Sequence, residues 1–269
     1  MKRKLFKGLK YLVLLVTSLL SLFPLLWMFV SATNTSVDIL TGRLLPGSHL
    51  AENFRNLLAK ADVGRALWNS LRNASVATIA SLVVCSIAGY GFEVYHDKGK
   101  DFLMRILLLS MMIPFAAIMI PLFMMFGRAD LLSTTTAFVL PTVSTAFLIF
   151  LFRQSARYFP KDIIEAARIE GMGELGIFFK MYVPIMRSTY ATAAIITFMG
   201  AWNSYLWPLI IMQEPESITM PLLISNLIAG YVTDYGALML AVAISVLPTI
   251  VIFLALQQNF AEGIISSMK

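Results

Sequence analysis

The feature that most constrains this chain is a series of apolar runs, each roughly 20 residues long. A helix of about that length crosses the ~30 Å hydrocarbon core of a bilayer. The runs lack the strict alternation of apolar and polar residues that a membrane β-barrel requires. They predict an all-α, polytopic membrane protein with six transmembrane helices. The predicted spans are approximately residues 11–32, 74–95, 102–126, 134–152, 188–212 and 235–256.

The overall composition agrees with a lipid environment. Of the 269 residues, 58% are apolar and 13% are charged, and the mean hydropathy is +0.78. Soluble domains average about 45–50% apolar and about 25% charged residues. We therefore expect residues 1–269 to form a single transmembrane domain in the cell membrane.

Several prolines fall inside the predicted spans, which does not exclude helix in a membrane. Neighbouring helices can satisfy the backbone groups that a proline frees. Two outcomes are open at each position, a kink in a continuous helix or a broken helix beside a substrate path. These prolines are Pro24, Pro114, Pro121, Pro141, Pro208 and Pro248.

The first apolar run has two possible functions, a cleaved signal peptide or a retained helix. A basic start and the small-residue sequence VSA at residues 30–32 are compatible with cleavage. A secretory apolar region has about 7–15 residues, whereas this run has roughly 22 and carries Trp27 near its far end. The length favours a retained transmembrane helix.

The distribution of Lys and Arg predicts the orientation. Five of the first ten residues are basic, and the segment between the fourth and fifth spans is also basic. The loop at residues 213–234 contains no Lys or Arg, whereas residues 33–73 contain five and argue against the assignment. Because basic residues resist translocation and the first helix usually dominates, we expect both termini to be cytoplasmic. The net charge of +6 is then a consequence of topology, and we do not expect nucleic-acid binding.

The chain lacks the residue patterns of a metal site, a nucleotide site or an active site. Cys85 is the one cysteine, and His49 and His96 lie on opposite predicted sides of the membrane. Nothing matches the phosphate-binding pattern G-x-x-x-x-G-K-[ST]. We therefore predict a non-catalytic protein without a cofactor, and any ATP chemistry would belong to a partner.

One polar stretch, EAARIEGMGELGIFFKMYVP at residues 165–184, interrupts the apolar sequence. It predicts a helix-turn-helix within a cytoplasmic segment of about residues 158–187. Pro160 suits the start of the first helix and Gly171 its end, and a second helix at about residues 174–182 would stop at Pro184. Its residues alone leave two interpretations open, a docking element for a partner or an amphipathic connector on the lipid headgroups.

The spacing within this stretch resembles the signature of binding-protein-dependent ABC importer permeases, which is E-A-A, three residues, G, nine residues and I-x-L-P. Glu165, Ala166, Ala167, Gly171 and Pro184 match it, and apolar residues occupy the Ile and Leu positions. GAWNSYLWPL at residues 200–209 and the ending at residues 254–269 are similar to the shorter six-helix permease of maltose-type carbohydrate transporters.

The resemblance implies a role and a set of partners. In that family the E-A-A segment is a coupling helix in a cleft of the ABC ATPase, so Glu165, Ala166, Ala167 and Gly171 would make that contact, with Pro184 setting the start of the fifth span. The implied partners are ATPase subunits, a second permease subunit and an extracytoplasmic solute-binding protein that meets residues 213–234. The implied substrate is a sugar.

The solute pathway is less defined by the sequence. Polar residues in spans usually face a bundle interior or a water-filled cavity, which makes Asn73, Trp202, Asn203 and Tyr205 candidates. The alternative is that such groups bond neighbouring helices to one another. Further polar residues of the second span and its approach are open to the same two interpretations; they are Asn69, Ser70, Ser75, Thr78 and Ser81.

Two other functional classes remain as alternatives. An ion-coupled secondary transporter usually places acidic or histidine residues within its spans, whereas Glu93, Asp101 and Asp130 lie near predicted span ends. A membrane scaffold or channel subunit would associate with no ATPase.

Overall fold

The computed structural model describes residues 2–230 and 232–266, and the regular secondary structure of that part is helical, without strands. The fifteen α-helices described there are Lys2–Ser31 (α1), Ser36–Leu40 (α2), Leu50–Lys60 (α3), Val63–Val94 (α4), Lys98–Ser110 (α5), Phe115–Arg128 (α6), Thr135–Val139 (α7), Ala146–Ala156 (α8), Lys161–Ile169 (α9), Glu174–Ile177 (α10), Val183–Ile185 (α11), Arg187–Trp202 (α12), Leu206–Ile211 (α13), Met220–Ile228 (α14) and Tyr235–Ser266 (α15). Leu140–Thr142 and Pro215–Ser217 are 3-10 turns, and Phe178–Tyr182 is a π-helical turn.

Three helices of the described chain are long and apolar enough to cross a membrane singly, within α1, α4 and α15. Two bent pairs, α5 with α6 and α7 with α8, raise that number to five if each pair is one span. The predicted span at residues 188–212 is divided into α12 and α13 by a break at residues 203–205. A sixth crossing therefore stays a prediction.

The prolines separate into two groups, apart from Pro208, which lies in the first turn of α13. Pro114 precedes α6 in extended conformation, and α5 and α6 meet there at 94°. Pro141 lies in the 3-10 turn between α7 and α8, which meet at 52°. Of the two outcomes left open for these positions, the broken helix occurs at Pro114 and Pro141, where a proline removes a helical N–H at the bend. Pro24, Pro121 and Pro248, in contrast, lie inside helices.

The predicted outward loop at residues 213–234 is more ordered than a simple connector, since it contains a 3-10 turn and α14. Tyr231 within it and residues 267–269 of the carbohydrate-permease-like ending lie outside the described residues.

The described residues fall into two compact units, one within residues 2–64 and 222–247 without 231, and the other within residues 65–221 and 248–266. In the first unit, α1 is exposed throughout residues 7–26. Only 6% of its most apolar 18-residue stretch is buried. Polar contacts organise the rest of this unit. The buried Asn53 amide donates to the carbonyls of Ala32 at 2.9 Å and Asn34 at 3.0 Å, and Asp234 accepts from Lys60 at 2.9 Å.

In the second unit, polar side chains of α4 bond to backbone at helix breaks and turns. Ser81 donates to the Thr142 carbonyl at 2.9 Å and the Cys85 thiol to the Val143 carbonyl at 3.4 Å, both at the break between α7 and α8. Asn69 donates to the carbonyls of residues 216 and 218, at 2.7 and 3.0 Å. These contacts satisfy carbonyls that a broken helix leaves without an intrahelical donor.

Close approach of α4 to α8 completes the second unit. A Cβ atom at Gly89 would lie 2.6 Å from Phe152 Cβ and 2.8 Å from the Arg153 backbone nitrogen. Small residues permit such contact between membrane helices. A buried apolar cluster flanks it, formed by Cys85, Met104, Leu148, Ile149, Phe152 and Ala193.

Gly89→Ala is expected to lower the free energy of unfolding by about 1–3 kcal/mol, because the added methyl collides with the backbone of α8. Gly91→Ala is the matched control on the same helix, since a Cβ there meets nothing within 4 Å. It should be neutral or stabilise the protein by up to about 1 kcal/mol. Thermal unfolding of both variants in detergent measures the difference, and equal midpoints would contradict the predicted close contact.

Candidate functional site

The E-A-A stretch begins with α9, whose charges suit a helix. Asp162 lies in the first turn and Arg168 in the last, where each complements the helix dipole. After the C-cap residue Glu170, Gly171 has φ of +82°, a conformation in which a side chain is strained. The Met172 N–H returns to the Ala167 carbonyl at 2.9 Å. The predicted turn at Gly171 is confirmed.

The second half of the stretch differs from the prediction. The helical path after residue 173 runs through α10, the π turn and α11, and Pro184 lies inside it. Pro184 lies in the first turn of α11, directly after the π turn. The path breaks at Met186, and α12 begins at Arg187. The prediction that Pro184 stops the second helix was therefore wrong by two residues.

The inner face of this segment packs into an apolar cluster with the ends of α4 and α8. Ile164 and Ala167 of α9 are 5% and 4% exposed, and they join residues of α4, α8 and the π turn in that cluster. The Tyr90 ring on α4 meets Tyr182 at 4.8 Å and Phe178 at 5.3 Å between ring centroids, in edge-to-face geometry. The remaining buried members are Ala156, Phe159 and Ile177.

The outer face presents Glu165 and Ala166, which are both exposed, and Ile169, which is 87% exposed. Glu165 has no hydrogen bond or ion pair with any residue whose side chain the structure describes, that is, residues 7–230, 232–255 and 257. Gly171 and Pro184 are exposed as well. Of the three residues of the E-A-A motif, Ala167 alone is turned into the protein, which sequence spacing did not distinguish.

An ion pair joins the two short helices to each other, and a hydrogen bond fastens them to the end of α4. Arg168 Nε donates to Glu174 Oε1 at 2.7 Å, and the Tyr95 hydroxyl donates to Glu174 Oε2 at 2.6 Å. The Arg168 guanidinium and then the Tyr95 hydroxyl hold the pKa of the Glu174 carboxyl below its usual range. The two short helices are therefore bound to each other and to the end of α4.

A second ionic group joins the ends of α4, α5 and α8. Arg153 is 4% exposed and pairs with Asp101, and its Nε lies 3.4 Å from Glu93 Oε2. Arg157 approaches the same Glu93 oxygen at 3.3 Å. A buried arginine requires such partners, because an unpaired charge there is costly. Sequence inspection placed Glu93 and Asp101 near span ends but did not pair them with Arg153.

The second unit also contains a cavity of about 390 Å³ at its helix breaks. The break between α5 and α6 contributes Phe115, that between α7 and α8 contributes Thr142 and Thr145, and that between α12 and α13 contributes Ser204. The other lining residues are Phe138, Phe147, Leu148, Ile196, Thr197, Gly200, Ala201 and Trp207.

None of the four predicted pathway residues lines this cavity. Asn73 is fully buried and accepts from Thr135 at 2.9 Å, and Trp202 is 2% exposed with its ring stacked on Phe198. Asn203 is exposed and donates to the Met199 carbonyl, and Tyr205 is 37% exposed. The sequence signal that could have located the wall is the coincidence of proline with hydroxyl residues, in LPTVST at residues 140–145.

The described residues contain no group of three or more His, Cys, Asp or Glu side chains that could hold a metal ion.

The sequence is similar to permease proteins of two sugar transport systems. The chain is 43% identical over 269 residues to the lactose transport system permease protein LacG of Rhizobium radiobacter, covering 100% of this chain and 98% of that protein. It is 31% identical over 254 residues to the arabinooligosaccharides transport system permease protein AraQ of Halalkalibacterium halodurans, covering 91% and 90% of the two chains.

A solved structure shares the fold. The crystal structure of a bacterial ABC transporter involved in the import of the acidic polysaccharide alginate contains a chain that superposes with a TM-score of 0.84. The match has 20% sequence identity and covers 97% of this chain and 98% of that one. The family described as binding-protein-dependent transport system inner membrane component matches residues 81–266, which include the helix-turn-helix and the cavity. The chain belongs to that family of transport-system inner membrane components.

Proposed function

We propose that this chain is the membrane permease subunit of an ATP-driven importer that takes up a sugar or oligosaccharide. The observation that carries the proposal is the family match over residues 81–266. The names of the relatives favour the substrate class, since LacG is a lactose permease and AraQ an arabinooligosaccharide permease. The permease itself would be non-catalytic, and ATP would be hydrolysed by a partner.

The partner ATPase would contact the outer face of the helix-turn-helix at Glu165, Ala166 and the turn at Gly171. Exposure of these residues supports this role. Ala167 and Pro184 would act differently from the other motif residues, Ala167 by packing α9 onto the protein and Pro184 by lying in the path that leads to α12. A second permease subunit, an extracytoplasmic binding protein and membrane lipid complete the proposed surroundings.

The packing of the inner face supplies a mechanism for coupling. Movement of the ATPase subunits pushes the outer face, and the aromatic cluster and the Arg168–Glu174–Tyr95 contacts pass that movement to α4 and α8. A segment loosely attached to headgroups would dissipate the movement, whereas a packed element shifts as a rigid body. Alternating access then follows from tilting of the helices around the substrate path.

We infer an orientation in which both termini and the helix-turn-helix are cytoplasmic. Residues 213–234 then lie on the opposite side and face the binding protein. The basic start of the chain and the absence of Lys and Arg from residues 213–234 support it.

An ion-coupled transporter is less well supported. Glu93 and Asp101 are paired with Arg153 in the described structure, so neither is an isolated intramembrane carboxylate.

The direct test is uptake by the reconstituted importer. The complete complex, with its ATPase, second permease and binding protein, should accumulate labelled lactose or arabinooligosaccharide in proteoliposomes only when ATP is supplied. Omission of this subunit should abolish uptake. Uptake driven by a proton or sodium gradient without ATP would refute the proposal.

Glu165→Lys should reduce substrate-stimulated ATP hydrolysis to the unstimulated rate while the complex still inserts and folds. The reason is that Glu165 is exposed and has no bond within the described chain, so its reversal acts on the partner surface. Glu170→Lys is the matched control, since Glu170 is exposed on the same segment and a cation suits a helix C-terminus. Equal ATPase rates in the two variants would contradict the assigned contact.

Gly171→Ala should destabilise the turn by about 1–2 kcal/mol, because an L-residue is strained at φ of +82°. Gly173→Ala is the control, since Gly173 has φ of −70° and a Cβ at either position meets nothing within 4 Å. Hydrogen exchange of residues 161–177 reports the local free energy of opening. Equal protection in the two variants would show that the turn does not require glycine.

Protonation of Glu174 should loosen the segment. The folded-state pKa lies below the reference value of 4.5, so the stabilisation is present above the unfolded pKa and is lost as pH falls through the folded pKa. The difference in hydrogen-exchange protection between wild type and Glu174→Gln should be constant above about pH 6 and shrink below about pH 4.5. A difference independent of pH would exclude this carboxylate as the fastening group.

A further inference from the structure

The cavity at the helix breaks has a lining without charged side chains. Its walls combine aromatic rings, chiefly Phe115, Phe138, Phe147 and Trp207, with the hydroxyls of Thr142, Thr145, Thr197 and Ser204. A volume of about 390 Å³ lies within the range of small-molecule sites, which run from about 300 to about 1,000 Å³.

Most polar hydrogens on the walls are already committed. Thr142 donates to the Val139 carbonyl at 2.9 Å, and Thr197 donates to the Ala193 carbonyl at 2.8 Å. The Trp207 indole N–H donates to the Ala137 carbonyl at 3.0 Å. The threonine oxygens keep lone pairs after these bonds are made. The cavity therefore offers acceptors and ring surfaces, and few donors, to a ligand.

We propose that this cavity binds an uncharged sugar unit of the translocated solute and discriminates against acidic sugars. The inference rests on the proposed function and adds the charge class of the substrate and its place in this subunit. Sugar hydroxyls donate to the threonine oxygens, while the apolar face of the ring contacts the phenylalanine side chains.

The charge preference follows from the same inventory. A carboxylate or phosphate carries acceptors only, so it could take hydrogen bonds from the Thr145 and Ser204 hydroxyls but would find no cation on the wall. An ion transferred to such an environment without a partner is strongly destabilised. The fold alone does not determine whether the substrate is charged, because a chain of similar fold belongs to a transporter involved in the import of an acidic polysaccharide.

Gly200 allows a direct probe, because a Cβ built there meets nothing within 4 Å although the residue lines the cavity. The chain has one cysteine, Cys85, which is buried. In the assembled importer with Cys85→Ala, Gly200→Cys places a single thiol of this chain at the wall. Gly91→Cys is the matched control, since a Cβ there also meets open space and Gly91 is not a lining residue.

The experiment measures the rate at which a water-soluble methanethiosulfonate reagent modifies each thiol, with and without sugar. For this experiment the importer is prepared with partner chains whose reactive cysteines have been replaced. Lactose, or an arabinooligosaccharide if that is the solute transported, should slow modification at Gly200→Cys about tenfold at about ten times its dissociation constant. The aldonic or uronic acid of the same sugar should give no protection. The rate at Gly91→Cys should not change.

Three results would overturn the proposal. Lack of protection by a sugar that the same complex transports would remove the cavity from the pathway while leaving the importer function intact. Equal protection by the acidic sugar would refute the charge preference. Modification only by a membrane-soluble maleimide would identify the cavity as a lipid-filled groove. Failure of the complex to transport any sugar with ATP would instead refute the proposed function.

Discussion

The structure depends on how this chain satisfies backbone hydrogen-bonding groups where its membrane helices are broken. In hydrocarbon, an unpaired carbonyl has no water to bond and costs several kcal/mol. Side chains of α4 supply the missing donors: Ser81 and Cys85 donate to carbonyls at the break between α7 and α8. Asn69 does the same for the turn that precedes α14. A single long helix thereby becomes the support for the irregular parts of the second unit.

The same helix links the two functional regions of that unit. Its carboxyl-terminal end carries Tyr90 and Tyr95, which hold the helix-turn-helix by ring contacts and by the bond to Glu174. Its middle supports a break whose residues line the cavity. On the proposed function, movement applied at the outer face of α9 would reach α4 through packed side chains, so coupling and substrate access would both depend on this helix.

Much of this architecture was predictable from sequence, and the failures have physical causes. Hydropathy located up to five of the six predicted spans, and Pro160 and Gly171 predicted the start and the end of α9. Hydropathy could not show that α5 and α6 meet at 94°, because the run of apolar residues continues through the bend. The inward direction of Ala167 was hidden because α9 is short and its neighbours are distant in sequence. Asn73 and Trp202 were candidates for the pathway on residue type alone; both are buried, and their part in the pathway stays a prediction.

The exposure of α1 has an evolutionary consequence. Since residues 7–26 lie open along their whole length, their environment is supplied by lipid or by another chain and not by specific neighbours within the described protein. Where lipid supplies that environment, selection on this helix acts mainly on its hydrophobicity and length. It can exchange one aliphatic residue for another with little loss of stability. Substitution in α4 is more restricted, because Gly89 packs closely against α8 and Ser81 donates to the Thr142 carbonyl.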